Sequence, residues 1–534
     1  MKNQQIEELY PVRAMRRWNS WLCRGAAALL VAAAGNAWCA ESSDPLLDLL
    51  IQKGILSADE AKKVRAEAEE IRSNNPPAVA LPESKWKISK AIKNIELFGD
   101  LRLRYENRQA AAPNDDQIRM DRLRYAVRLG LRGEVLDDFY YGVRLDTAAN
   151  PRSPWVTFGT SASGTPFQGP FGKSTAGIDV GQVFIGWHGL SWLDIEAGKM
   201  PNPIYTTPMI WDGDLNPEGL AERLKYTIGC ADFFATFGQF LYQDVNPTSA
   251  DSGFFSFGAQ NSNLPFLLAW QGGVNYHITT NVSLKVAPVL YNYTGHAQTA
   301  TVPPGTGGGT PGFANTYVGQ GASNNITGAN TQGWSGFNSG YYDGFASDQT
   351  GINNLLVLDI PAELNFKICN LDFRVFGDYA QNLDGSDRAE AAFRAATGAF
   401  QPIAIAPIPS AQTSDIHAYQ AGVAIGNRDS LGLVYGQTSH RHAWEIRSYW
   451  QHIEQYALDP NLIDSDFFEG RENLEGIYAA AAYGFNQNII GTVRYGYAHR
   501  INDKIGTGGS NQDIPQINPI DNYHLFQVDL TFRF

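Results

Sequence analysis

Leu525-Phe526-Gln527-Val528-Asp529-Leu530-Thr531-Phe532-Arg533-Phe534 is the stretch on which the reading of this chain turns. Phe526, Val528, Leu530, Phe532 and Phe534 fall on one side of an extended strand and Gln527, Asp529, Thr531 and Arg533 on the other, since successive strand side chains point to opposite faces. The same period of two runs from Arg122 to Arg132. There Arg122, Arg124, Ala126, Arg128, Gly130 and Arg132 share one face, and Leu123, Tyr125, Val127, Leu129 and Leu131 share the other. A soluble sandwich would turn the apolar faces inward, whereas a closed barrel in a bilayer turns them to lipid and lines a wet interior with the arginines. Alternation is common to both.

Connection lengths separate them. Extended segments are expected at 95–107, 119–133, 138–148, 176–187, 191–199, 219–228, 231–241, 266–276, 281–293, 352–366, 369–381, 415–426, 441–453, 472–484, 488–499 and 521–534, sixteen in all. The links at 134–137, 188–190, 229–230, 277–280, 368 and 485–487 are tight and those between them are long, as short periplasmic turns and long external loops require. One link breaks the rhythm: Asn427 to His440 stands where a turn should be short, and an extra hairpin there would raise the count to eighteen. Aromatic residues collect beside the tight links, at Phe139, Tyr141, Trp187, Trp192, Tyr276, Phe366, Phe373, Tyr483 and Phe485, in the manner of an interfacial girdle. The expected fold is all-β, a transmembrane antiparallel β-barrel over residues 95–534 preceded by a short helical segment.

Composition agrees. Aromatics make up 12% of the 534 residues, charged residues only 18%, and there are 53 glycines, a balance suited to strands and turns. Beyond the first 40 residues no apolar run reaches the roughly 18 residues of a spanning helix, so a closed barrel is the way into a membrane. Residues 1–40 read as an export signal: Arg13, Arg16, Arg17 and Arg24 precede a small-residue apolar run, with Met15 as an alternative start and cleavage after Ala37 or Ala40. Residues 41–94 read as a periplasmic helical segment and linker. Pro45 opens one helix and Gly54 closes it, then Ser57 and Glu60 form a capping box for a second that Pro76 and Pro77 stop.

Other chemistry finds little footing. Cys230 and Cys369 fall in different tight turns four strands apart, too far for a disulfide, and no Cys/His spacing suits a metal. The oxygen-rich run Asp212-Gly213-Asp214-Leu215-Asn216 has Pro217 where a calcium loop needs glycine. No Gly-x-Ser-x-Gly elbow or His-Glu-x-x-His pair occurs, so neither catalysis nor a cofactor is expected, and a net charge of -13 disfavours nucleic acid.

Three local patterns carry a family resemblance: Leu46-Leu47-Asp48-Leu49-Leu50 to Gly54-Ile55-Leu56; Ala197-Gly198-Lys199-Met200-Pro201-Asn202-Pro203 running to Trp211-Asp212-Gly213-Asp214-Leu215-Asn216-Pro217-Glu218-Gly219; and Asp464-Ser465-Asp466-Phe467-Phe468-Glu469-Gly470. In these the chain resembles the putative porin family of diderm, Gram-negative-type outer membranes. The resemblance spans most of the mature chain and implies a pore without naming its solute. The long link from Asn427 to His440 and the Gly-rich stretch from Thr301 to Gly340 depart from it.

The expected function is passive diffusion of small hydrophilic solutes and ions across the outer membrane, and the alternative is a structural protein tethered to the cell wall through the N-terminal helices. Outer-membrane lipid and the barrel-assembly machinery are the expected partners, and a homotrimer the expected assembly. The apolar stripe Phe526, Val528, Leu530, Phe532 and Phe534 is the expected assembly signal. A water-filled pore selects by width and wall charge. Arg102, Arg104, Arg122, Arg124, Arg128, Arg132 and Arg144 are therefore candidate pore-lining residues, with Asp100, Glu106 and Asp146 as acids on the same face. Asp212, Asp214 and Glu218, in the link from Pro201 to Glu218, are candidates for a constriction facing those arginines.

Overall fold

A sheet with one apolar and one charged face cannot satisfy both in a single solvent, and here the conflict is met by closing the sheet on itself. The computed structural model describes residues 91–113, 115, 117–148, 152–159, 177–242, 266–294, 355–389, 415–437, 440–503, 507, 513–514, 517 and 520–534, with isolated positions between 53 and 89. Residues Ser89–Phe534 form one compact unit and Met1–Ile88 another. Among the described residues sixteen strands build the wall. They are β1 (Glu96–Ala111), β2 (Gln117–Val135), β3 (Phe139–Ala148), β4 (Gly177–Leu190), β5 (Leu193–Lys199), β6 (Glu218–Ile228), β7 (Ala231–Leu241) and β8 (Phe266–Thr279). Then follow β9 (Val282–Val286 and Val289–Tyr293), β10 (Leu356–Asp359 and Ala362–Ile368), β11 (Leu371–Asn382), β12 (His417–Asn427), β13 (Trp444–Ile453), β14 (Leu474–Gly484), β15 (Ile489–Arg500) and β16 (Asn522–Arg533).

Each strand pairs antiparallel with the next, and β16 returns to β1 in a register running from Asp100 opposite Arg533 to Ala111 opposite Asn522. Phe534 completes the closure by exchanging backbone hydrogen bonds with Gly99 at 3.0 and 3.1 Å. A two-residue piece, Val156–Thr157, continues the wall beside Arg124 and Tyr125 where β3 has ended. The apolar faces point outward: Leu101, Leu103, Leu123, Val127, Leu129, Leu131, Val528 and Leu530 are all exposed on the perimeter. This is the inside-out arrangement of a barrel in lipid.

Strands β9 and β10 are interrupted side by side, at Ala287-Pro288 and Ile360-Pro361, where proline removes a ladder donor. Among its described residues the Asn427–His440 link holds no extra hairpin. Instead it turns inward as a short 3-10 segment, Leu433–Tyr435, flanked by Gly432 and Gly436 at φ 108° and 76°. Its backbone amides at Gly432 and Val434 donate to Glu445 at 2.8 and 3.0 Å, so a buried carboxylate replaces the strand partners a hairpin would have supplied. Among the described residues the closed wall therefore has sixteen strands.

Near the tight turns Phe139, Trp192, Tyr276, Tyr483 and Phe485 are exposed, and Phe366 stacks on Phe373 at 5.0 Å. A second aromatic band lies toward the long loops, where Tyr379 packs on His417, Tyr419 on Trp450 and His452, and Tyr495 on His524. In the unit spanning Met1–Ile88, the Ser57 amide and hydroxyl donate to Glu60 at 2.9 and 2.7 Å, and Glu60 N donates back to Ser57 Oγ at 3.4 Å. The export signal, most of the helical segment and the Thr301–Gly340 stretch lie outside the described residues.

Candidate pore interior

Among the described residues three segments fill most of the lumen, and Trp155 and Asp513 reach in from two further loops. The first is 200–217, between β5 and β6. Its neck needs glycine at 198, where φ is 123° and a Cβ would sit 2.3 Å from the Val183 carbonyl oxygen. Met200 N donates to Pro217 O at 2.9 Å and shuts the neck. Met200, Met209, Ile210 and Trp211 then bury themselves against the inner wall, with Trp211 edge-on to Phe240. Gln271 holds the tip by accepting from Tyr205 N at 2.9 Å and donating to Tyr205 O at 2.7 Å.

The second segment, 454–473, locks onto the first. Asp212 N donates to Leu462 O at 2.6 Å, Ser465 returns its amide and hydroxyl to Asp212 at 3.2 and 2.9 Å, and Asp464 N donates to Pro208 O at 3.1 Å. Phe467 and Phe468 are buried, Phe467 packing against Tyr449 and Tyr478. The third segment is the Leu433–Tyr435 turn, whose Val434 carbonyl accepts from Arg494 at 2.9 Å.

Beneath these segments the arginines of β1, β2 and β3 are paired. Arg104 faces Arg124 directly across the β1–β2 ladder, a like-charge opposition that must be bridged. Arg104 reaches Asp529 at 2.8 Å and Asp466 at 2.9 Å and lies over the Trp155 ring at 4.0 Å. Glu106, fully buried, gathers Arg108 at 3.1 Å, Arg122 at shorter range and Arg124 at 3.8 Å. Asp513 adds Arg122 at 2.5 Å and Arg108 at 3.2 Å. Arg102 pairs with Asp100 at 2.8 Å, Arg128 with Asp100 and Asp214 at 3.2 Å each, and Arg144 with Asp146 at 2.7 Å. Arg132, more exposed, pairs with Glu96 at 2.6 Å.

Of the acids expected in the link from Pro201 to Glu218, Asp214 meets Arg128, while Asp212 is turned onto Ser465. Glu218 does neither. It pairs with Lys199 at 2.6 Å on the outer face, because Lys199 shares its ladder position with outward Val183 and Glu218 lies opposite Lys199. Sequence reading missed Arg108 and Arg494, which belong to the same inner face, and Asp466, Asp513 and Asp529, which neutralise it. Arg108 and Arg494 continue the period of two; Asp466 and Asp513 sit in irregular segments that carry no period.

Burial and the neighbouring Asp214 carboxyl push Asp212 up to about 7. Burial likewise raises Asp214 against the pull of Arg128. Asp466 is held down at about 2 by Arg104 and Arg108, which outweigh its burial. Below the arginines a cavity of about 700 Å³ opens, lined among others by Arg128, Arg132, Arg144, Arg533, Gln182 and Phe184. Among the described residues no group of three or more His, Cys, Asp or Glu could hold a metal.

A sixteen-stranded wall, apolar outside and charged within, with loops folded into its lumen, defines an integral outer-membrane β-barrel of the channel type. The family described as putative porin matches residues 111–534, and the chain belongs to it. No curated protein matches. Among solved structures, Salmonella typhi OmpF in complex with daunomycin aligns with 84% of this chain and 100% of its own, at 10% identity and a TM-score of 0.40. OmpT of Vibrio cholerae covers the same shares at 9% identity and a TM-score of 0.38.

Proposed function

We propose that this protein is a passive outer-membrane pore for small hydrophilic solutes, with a preference for anions or zwitterions set by its inner arginines. The observation that carries the preference is the composition of the 700 Å³ cavity, where Arg128, Arg132, Arg144 and Arg533 line one space with Glu96 and Asp100 as its acids. Arg533 sits opposite Asp100 in the ladder, yet Asp100 is already engaged by Arg102 and Arg128. Buried pairs such as Arg104 with Asp529 brace the wall and are electrically quiet; the excess positive charge at Arg533, whose ladder neighbour Asp100 is shared by Arg102 and Arg128, carries the selectivity. The inward acid Asp214 opposes Arg128 and narrows the passage there. Lipid contacts the outer belt, the barrel-assembly machinery reads Phe526 to Phe534, and the pore assembles as a trimer.

Reversal potentials in planar bilayers under a KCl gradient test the reading. Wild type should favour chloride, and Arg144→Gln with Arg533→Gln should move the ratio toward potassium. A closed bilayer, or an ion preference unchanged by both substitutions, would remove the proposal.

A further inference from the structure

Asp359 on β10 and Asp378 on β11 both face the lumen, 0% and 4% exposed. One Asp378 oxygen accepts from the Thr207 hydroxyl of the inward segment. Its other oxygen, both oxygens of Asp359 and the hydroxyls of Thr206 and Tyr291, the latter 2% exposed, make no well-aligned hydrogen bond; looser contacts alone link Asp359 to the Ile360 amide, Asp378 to the Tyr379 amide and Tyr291 to Thr206. The two carboxyls interact directly, and Tyr291 lies within electrostatic reach of both and beside Thr206. Among the described residues no lysine, arginine or histidine acts on either carboxyl.

This is unlike the rest of the interior, where every buried carboxylate described above has an arginine or a well-aligned amide within bonding distance. Two adjacent carboxylates buried without a counter-charge repel one another and each costs several kcal/mol of lost hydration. A hard divalent cation removes both costs, because it takes oxygen ligands alone and its charge balances two carboxylates. The five orphan oxygens, two from Asp359 and one each from Asp378, Tyr291 and Thr206, supply a partial shell of that kind. The location adds a reason: the carboxyls adjoin the paired breaks at Ala287-Pro288 and Ile360-Pro361, where the wall has lost ladder hydrogen bonds and the tip of the inward segment docks.

We propose that Asp359, Asp378, Tyr291 and Thr206 form a site for one hard divalent cation of the calcium class, which clamps the inward segment 200–217 to β9, β10 and β11. Full-length protein refolded free of lipopolysaccharide and stripped with chelator is titrated with Tb³⁺ under aromatic excitation, since Tyr291 and the neighbouring Trp211 sensitise a lanthanide held there. The expected result is saturable emission at one ion per chain, displaced by CaCl₂, with affinity at least tenfold weaker in Asp359→Asn and severalfold weaker in Thr206→Val. Retention of one calcium by native mass spectrometry supports the site should Asp359→Asn not fold. Absence of Tb³⁺ and Ca²⁺ binding to wild type, or undiminished binding by both variants, overturns it and leaves the carboxyls sharing a proton.

Discussion

Arg104 and Arg124 face each other across a ladder, and that placement is tolerable only because carboxylates from three different parts of the chain surround them. Asp529 is the most exposed to test, since it joins Arg104 and Arg494 and all three are buried or nearly so. Asp529→Ala leaves two interior guanidiniums short of a partner, and unfolding in denaturant should show a loss of about 3–5 kcal/mol. Asp212 makes the opposite case. Its protonated form is favoured in the docked state and its carboxylate in the undocked one, so docking is undiminished below the ordinary carboxylate value of 3.8, weakens as pH rises, and has lost the whole contribution above about 7. Channel conductance should therefore rise between pH 5 and pH 8 as the inward segments loosen. Asp212→Asn should flatten that part of the profile.

Among the elements, the strands were legible and the 201–218 link was expected to face the arginines, but the inward courses of 433–435 and 454–473 were not foreseen. A strand that separates lipid from water writes its two faces into the sequence at every second residue, so Arg122 to Arg132 announced its conformation, and the alternation of short and long links then said which face met lipid. The segments 200–217 and 454–473 hold themselves by single hydrogen bonds to distant carbonyls and by burying Trp211 or Phe467 wherever the lumen offers room, and no period records that. Glu218 was misplaced for a reason of parity: it lies one residue from the glycine at which the segment rejoins the wall, and one residue decides which face a strand side chain takes. The 427–440 link was recognisable as anomalous by length alone, and its actual role depends on Glu445, which the sequence gives no cause to join to it. Replacing residues 428–443 by a two-residue turn should keep the β12–β13 ladder and raise single-channel conductance measurably, because Leu433 and Val434 would no longer occupy the lumen.

At the scale of the whole barrel, apolar area is spent on the outside and charge is neutralised within, so the two faces should answer differently to the same substitution. Leu129→Arg places a cation on the lipid side near the middle of β2 and should cost about 2–4 kcal/mol, read by denaturant titration of protein folded into vesicles. Arg533→Gln, on the lumen side and opposite an Asp100 already held by Arg102 and Arg128, should change ion preference and leave that titration nearly unmoved. Electrophoresis of unheated samples gives a further check: the closed wall should migrate as a compact species that heating converts to a slower one.

The register that joins β1 to β16 has a consequence for how the molecule comes into being. Arg104 and Asp529 are 425 positions apart, so the earliest wall strand to leave the ribosome waits for the latest before its free edge is covered. Such remote pairing is entropically slow. The sheet must spend that interval with one margin bare, and sealing of the seam is the last step of closure.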